Sequence, residues 1–473
     1  MAPVEHPPAQ RGIYGNRTLN MRSIRAIGYD MDYTLIHYRV DEWERRAFEH
    51  ARGRLAAFGW PVDDLAFDPA SVIRGLTIDL ELGNLLKPTR FGYVIRAAHG
   101  TSFLEFDRLR RSYEATFVDL ADPRWVFLNT LFSLSEASLF SQLVELFDAG
   151  RIPDVHSYAG LYETVRTTLD EAHMEGRLKE EIVADPDRFV VPDPDTVLTL
   201  LDQRFAGKRL VLITNSEWEY TNRMMAYTFD PHLPGGRRWR EMFDAVVVSA
   251  AKPAFFTTTR PMYRVVDEVR GLMQPHIGDL EPGSVFVGGC APQLEAHLRL
   301  SGDQILYVGD HLYSDVSVSK ALLRWRTALI LRELETEIAA AEAFAPAEEQ
   351  LVALMDRKTE LEEDLAHARL IRQRVRHGYA APEGDPADAE GVIASVKVEL
   401  ATLDEEIAPL AIAAGSLRNE AWGPLMRSGN DKSLFARQVE RYADVYTSRV
   451  SNFLAATPFA YLRADRGSLP HDR

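Results

Sequence analysis

The sequence predicts an α/β protein: a parallel sheet flanked by helices, interrupted by one large insertion and followed by a helical hairpin. Three observations carry that expectation. Short apolar runs at 24–29 (IRAIGY), 209–213 (RLVLI), 245–249 (AVVVS) and 305–308 (ILYV) are rich in Val, Ile and Leu, as suits strands buried on both faces. Each run leads into polar residues, and in open α/β sheets the ligand sits outside the carboxyl ends of the strands, so the four ends converge on one crevice. Finally, about 170 residues separate the first run from the second, far more than an ordinary crossover connection, and must form a domain of their own.

Taken in order, the first run ends at Asp30 and the insertion follows. Its texture is mixed, with an aromatic-rich stretch at 125–134 (WVFLNTLFSL) and a helical pattern from about 159 to 183. Asp170, His173 and Arg177 share one face if that helix is continuous. The proline-rich segment DPDRFVVPDPD (185–195) reads as the return linker. The later runs end at Thr214, near Lys252, and at Gly309-Asp310, and RWRTALIL (324–331) reads as one further strand. Beyond it, Leu351, Leu354, Leu361, Leu365, Ala368 and Val375 fall on a heptad seam interrupted by Lys358 and Arg372. Ile393, Val396, Leu400, Leu403, Ile407 and Leu410 form a second seam, and the turn-rich stretch between the two gives an antiparallel hairpin as the simplest reading. Two surface helices packed on the core are the alternative.

Composition narrows the function. The 473 residues carry 54 Lys and Arg against 70 Asp and Glu, a formal net charge of -16, which opposes nucleic-acid binding. An anionic substrate therefore needs a local positive site or a bound cation. The single cysteine, Cys290, has no partner within the chain, so stability comes from packing in a reducing compartment. The opening residues MAPVEHPPAQRG lack an apolar leader core, and no apolar run reaches membrane-spanning length, so the expectation is a cytoplasmic protein without a membrane partner.

The strand ends carry the chemistry. Asp30 and Asp32 lie two residues apart after a buried strand, where one carboxylate can attack a phosphoryl group while a second, protonated one serves the leaving oxygen. Asp-x-Asp alone more often caps or turns a chain. Here it is accompanied by Thr214-Asn215-Ser216, by Lys252 before Pro253, and by Asp310 with Asp315. A hydroxyl and an ammonium can hold phosphoryl oxygens, and further carboxylates can hold a hard cation.

Together these are the four motifs, in order, of the haloacid dehalogenase superfamily, which the chain resembles; Asp32 matches its phosphatase and phosphotransferase pattern. The strings DMDYTL, RGLTIDLELGNLLK (74–87), AAHG (97–100), LNTLF (128–132), GRLKE (176–180), ITNSEWEYT (213–221), KPAFF (252–256), LYVGDHLYSD (306–315) and SLFARQVERYADVY (433–446) extend the likeness. From about residue 15 to about 463 the chain is similar to the cytosolic purine 5'-nucleotidase family that prefers IMP and GMP.

The resemblance implies a haloacid dehalogenase-like core with an inserted cap. Its division would be 1–45 and 191–335 for the core, 46–190 for the insertion, 336–415 for the hairpin and 416–473 for a segment packing on the core. It implies Asp30 as nucleophile and Asp32 as general acid and then base. Mg2+ would be bound by Asp30, the Asp32 backbone carbonyl and Asp310, with Asp315 supporting the metal shell or ligating through water. Thr214, Asn215 and Lys252 would hold phosphate. In the cap, Phe132 and His173 would sandwich the purine, Arg166 and Asp170 would meet its polar edge, and Lys179 would reach the nucleotide. A homo-oligomer, dimer or tetramer, and phosphoryl transfer to nucleosides are implied too. Ser133, where animal members carry Asn, and Ala321 beside Lys320, where they carry a second lysine, depart from the pattern. The rival expectations are a phosphatase of the same fold acting on another metabolite, and a non-catalytic nucleotide-binding scaffold. Intact Asp30, Asp32, Lys252 and Asp310 argue against the scaffold.

Overall fold

The computed structural model describes residues 7–174, 176–268, 270–379, 386–465 and 467; the side chains of His173, Met174, Pro386 and Ala387 lie outside that description. Two compact units result, Met1–Glu335 with Leu425–Arg473, and Thr336–Pro424.

The first unit is organised by a sheet with the spatial order Ile13–Gly15, Val445–Thr447, Arg326–Ile330, Ile305–Gly309, Ala26–Tyr29, Arg209–Ile213, Ala245–Val248, Val285–Gly288, Met262–Asp267, Leu272–Pro275. From Val445–Thr447 to Val285–Gly288 every neighbour is parallel. The outer strands Ile13–Gly15, Met262–Asp267 and Leu272–Pro275 run antiparallel. Val211, Ile213, Val247, Phe286, Tyr307 and Trp325 belong to one buried apolar cluster, and every residue of Ala26–Tyr29, Ala245–Val248 and Ile305–Gly309 is buried, the double-sided burial that the apolar runs predict. The sequence reading anticipates five of these strands. Val285–Gly288 hides in a glycine-rich stretch, and Val445–Thr447 spans only three residues behind an amphipathic helix.

Strand order places the site. Ala26–Tyr29 is flanked by Arg209–Ile213 on one side and Ile305–Gly309 on the other, so the chain reverses its direction of travel across the sheet around the first strand. Such a switch point opens a crevice at the carboxyl ends, and Asp30 is its first residue.

The insertion leaves and returns through one paired ribbon, His37–Tyr38 against Val190–Val191. Helices Val40–Ala57, Ser133–Asp148 and Tyr158–Met174 pack on one another. Val40–Ala57 begins ahead of residue 46, and its buried face is Trp43, Ala47, Phe48, Ala51 and Leu55. A five-stranded antiparallel sheet completes the insertion, in the order Ser102–Phe103, Val94–His99, Asn84–Pro88, Thr77–Asp79, Trp125–Phe127. The helical pattern from about 159 to 183 is helical in two pieces, so the continuity on which a shared face of Asp170, His173 and Arg177 depends is not met. The break falls at Gly176, whose φ of 79° glycine adopts without steric cost, and Arg177–Ala184 is a separate helix.

The second unit is an antiparallel pair formed by helices Leu334–His377 and Pro386–Gly415. Leu361, Leu365 and Ala368 pack with Ala389, Ile393, Val396, Leu403 and Ile407. The two charges that interrupt the seam are paired across the helices, Lys358 with Asp404 at 2.6 Å and Arg372 with Glu390 at 3.7 Å. Val375 is exposed and Ile371 packs instead, because Arg372 already lies opposite the first turns of the returning helix. Among the described residues, no helix is long and apolar enough to cross a membrane.

Candidate active site

The turn after Ala26–Tyr29 is tight. The backbone N–H groups of Thr34, Leu35 and Ile36 all donate to the Met31 carbonyl, and Tyr33 sits in the left-handed region at φ 53°. Positive φ is uncommon for so bulky a residue and is held by complete enclosure, since Tyr33 is 2% exposed. The turn aims Asp30 and Asp32 at different partners.

Asp30 Oδ1 accepts the Met31 N–H at 2.7 Å and lies 2.8 Å from Lys252 Nζ. The same ammonium is 2.9 Å from Asp315 Oδ1 and donates to the Tyr307 hydroxyl at 3.1 Å, which in turn donates to the Ile213 carbonyl. Two glycines make these approaches possible. A Cβ on Gly28 would come within 2.8 Å of the Tyr307 ring, and one on Gly309 within 2.5 Å of Asp315 Oδ2. Lys252 is set by Asn215, whose side-chain oxygen accepts the Lys252 N–H at 2.6 Å while its amide donates to the Lys252 carbonyl at 3.2 Å. Thr214 follows Arg209–Ile213, and its hydroxyl oxygen accepts the Ser216 N–H at 3.1 Å.

Asp30, Asp310 and Asp315 offer carboxylate oxygens within 4.8 Å of one another. Asp315 is presented by a wide π-type turn, Leu312–Ser317, a form frequent at functional sites. Asp310 accepts from the Thr130 hydroxyl at 3.3 Å, and Arg74, in a buried ion pair with Glu333, donates to its backbone carbonyl. Burial pushes the Asp30 carboxyl up to about 7, with Lys252 opposing and Asp315 adding to the rise. Asp310 is raised well above the carboxylate range by burial and then by Asp30 and Asp315. One ammonium does not balance this much buried negative charge. Hard oxygen donors so crowded fit a small divalent cation, which would supply the missing positive charge.

Asp32 has other company. The Tyr38 hydroxyl donates to its Oδ1 at 2.6 Å and the Ser216 hydroxyl to its Oδ2 at 2.7 Å. Burial raises its carboxyl, opposed first by Lys179. Lys179 Nζ lies 2.7 Å from Glu217 Oε2 and 4.9 Å from the centre of the Tyr220 ring.

In the insertion, the half-buried Phe132 ring packs edge-on against Tyr33 at 4.7 Å and Trp43 at 5.4 Å, bringing it beside the turn that carries Asp32. Arg166 and Asp170 form a loose pair at 3.9 Å, 64% and 71% exposed. The backbone of His173 lies on the same helix, but its side chain lies outside the described residues. Sequence reasoning missed Glu136, one turn beyond Phe132, which accepts a hydrogen bond from Tyr162 and feels the charges of Arg166 and Asp170. It also missed Tyr38, Tyr307, Arg74 and Thr130. Tyr307 sits in a run that reads as apolar core, and Tyr38 in a two-residue strand too short to leave a pattern, so only the folded geometry reveals what their hydroxyls meet.

A parallel sheet whose switch point gathers acids, a buried lysine and hydroxyl donors has the build of a phosphoric monoester hydrolase. Residues 13–473 match the model of the 5' nucleotidase family. The chain is 28% identical over 460 residues to 5'-nucleotidase domain-containing protein 2 of Homo sapiens, covering 93% of this chain and 81% of that one. It is 29% identical over 462 residues to the protein of the same description in Rattus norvegicus, covering 93% and 76%. A 5'-nucleotidase domain-containing protein of Dictyostelium discoideum is 25% identical over 471 residues, covering 97% and 74%. The chain belongs to the 5' nucleotidase family and is a phosphoric monoester hydrolase.

Proposed function

We propose that this protein is a Mg2+-dependent nucleotidase that hydrolyses purine nucleoside 5'-monophosphates, IMP and GMP, and passes the phosphoryl group to a nucleoside when one replaces water. The observation that carries the proposal is the different surroundings of two neighbouring carboxylates: Asp30 against Lys252, Asp32 between two hydroxyls.

In this mechanism an Asp30 oxygen forms a bond to phosphorus as the ester P–O bond breaks, and the departing 5'-oxygen takes a proton from Asp32. Asp32, now a carboxylate, takes a proton from water, whose oxygen attacks phosphorus and frees Asp30 and inorganic phosphate. A nucleoside 5'-hydroxyl in place of that water gives transfer. Thr214, Asn215 and Lys252 hold the phosphoryl oxygens throughout. Asp30, Asp310 and Asp315, with the Asp32 backbone carbonyl, would hold Mg2+, which when bound neutralises charge on the phosphoryl group.

Base choice falls to the cap, because the catalytic core meets only phosphate. Phe132 offers a stacking surface, with His173 assigned to the opposite face of the base by the family likeness; Lys179 reaches the nucleotide, and Arg166 and Asp170 read the edge. Carboxylate acceptors on Asp170 and Glu136 suit the N1–H donor of a 6-oxopurine, where adenine presents an acceptor. A panel of phosphorylated metabolites assayed for phosphate release tests this, with Asp30→Asn as the inactive control. IMP and GMP should lead. A leading sugar phosphate or pyrimidine nucleotide would overturn the substrate assignment.

A further inference from the structure

We propose that Tyr38 is a positioning residue for Asp32, and that its hydroxyl contributes selectively to the expulsion of poor leaving groups. The proposal rests on the reading of Asp32 as general acid.

Tyr38 is fixed by backbone and ring alike. It belongs to the two-stranded ribbon through which the chain enters and leaves the insertion. Its ring is 3% exposed, 4.5 Å from Trp43 and 5.4 Å from Tyr33 between centroids. Its hydroxyl also meets that of Tyr220 at 3.0 Å. Asp32 therefore has one oxygen tied to the insertion's neck through Tyr38, and the other tied to the loop after Arg209–Ile213 through Ser216. Two anchors from separate elements set the plane of the carboxyl group; with the Tyr38 anchor removed, Ser216 holds a single oxygen and the plane is less tightly defined.

The consequence depends on the leaving group. Breaking the ester P–O bond of a nucleotide places negative charge on an alkoxide oxygen, which needs a proton delivered along a defined line. 4-Nitrophenolate is stable without one. Misplacing the acid penalises the first reaction and spares the second, whereas loss of general packing penalises both.

The test measures kcat/KM of wild type, Tyr38→Phe and Asp32→Asn with IMP and with 4-nitrophenyl phosphate. This quantity ends at formation of the bond to Asp30, so later steps shared by both substrates do not enter. Comparing two substrates on one preparation also cancels any difference in the folded fraction. Tyr38→Phe should lose about 10- to 100-fold with IMP and less than about twofold with the aryl ester. Asp32→Asn should show a larger contrast of the same sign. If Asp32→Asn discriminates while Tyr38→Phe loses both activities equally, or neither, the positioning role is overturned and the reading of Asp32 stands. If Asp32→Asn does not discriminate, Asp32 is not the acid and the proposal falls with it.

Discussion

Lys252 holds Asp30 at 2.8 Å and Asp315 at 2.9 Å with its side chain only 2% exposed, so a single ammonium joins the strand ends that carry motifs far apart in the chain.

Lys252→Met would leave Asp30 and Asp315 facing each other without a counter-charge. Removing one member of a buried pair costs about 3–5 kcal/mol, more than the loss of a surface bridge by several fold. Denaturant titration should show a loss of that order, and phosphate release should fall below one hundredth of wild type. A stable, active Lys252→Met protein would contradict the arrangement.

Gly309→Ala tests the packing of Asp315 without replacing a charged residue. The added methyl carbon would fall 2.5 Å from Asp315 Oδ2, and the turn must shift to admit it. Overpacking of this kind costs about 1–3 kcal/mol. Thermal melting should register that loss, and the Mg2+ concentration giving half-maximal activity should rise. A wild-type Mg2+ dependence in a folded variant would separate Asp315 from the metal.

Much of this site is legible in the sequence, and the reason is local. Asp30, Thr214 and Asp310 directly follow apolar strands, so a rule about strand ends locates them without tertiary information. The hairpin is legible for the same reason, since its two seams repeat regularly and its interrupting Lys358 and Arg372 find acidic partners. The cap sheet is not. Its strands are two to six residues long and alternate poorly, and the insertion's core comes from helices whose contacts are distant in sequence. The break at Gly176 is not legible either, because a lone glycine is tolerated within a helical pattern.

Removal of divalent metal should abolish phosphate release, and added Mg2+ should restore it. Asp30, Asp310 and Asp315 lie within 4.8 Å of one another against one lysine, and a dianionic substrate adds further repulsion. Full activity after exhaustive chelation would remove the cation from the mechanism.

In the cap, Phe132→Ala should raise KM for IMP by an amount equivalent to about 1–3 kcal/mol, the scale of aromatic stacking on a base, with a smaller change in kcat. Asp170→Ala should narrow the preference for IMP and GMP over AMP, because a polar group left unmatched by the wrong base supplies that discrimination. Steady-state kinetics on the three nucleotides decide it. Wild-type KM and selectivity in both variants would place base recognition elsewhere.

In the proposed mechanism Asp30 carries the phosphoryl group between the two half-reactions. An acyl phosphate is reduced by borohydride where a free carboxylate is not, so enzyme quenched during turnover of IMP and then reduced should contain homoserine at position 30. Mass spectrometry of the peptide spanning residues 26–39 reads this directly. Conversion is expected at Asp30, dependent on substrate and absent from Asp32. An unmodified Asp30 in enzyme that is visibly turning over, or conversion at Asp32 instead, would contradict it.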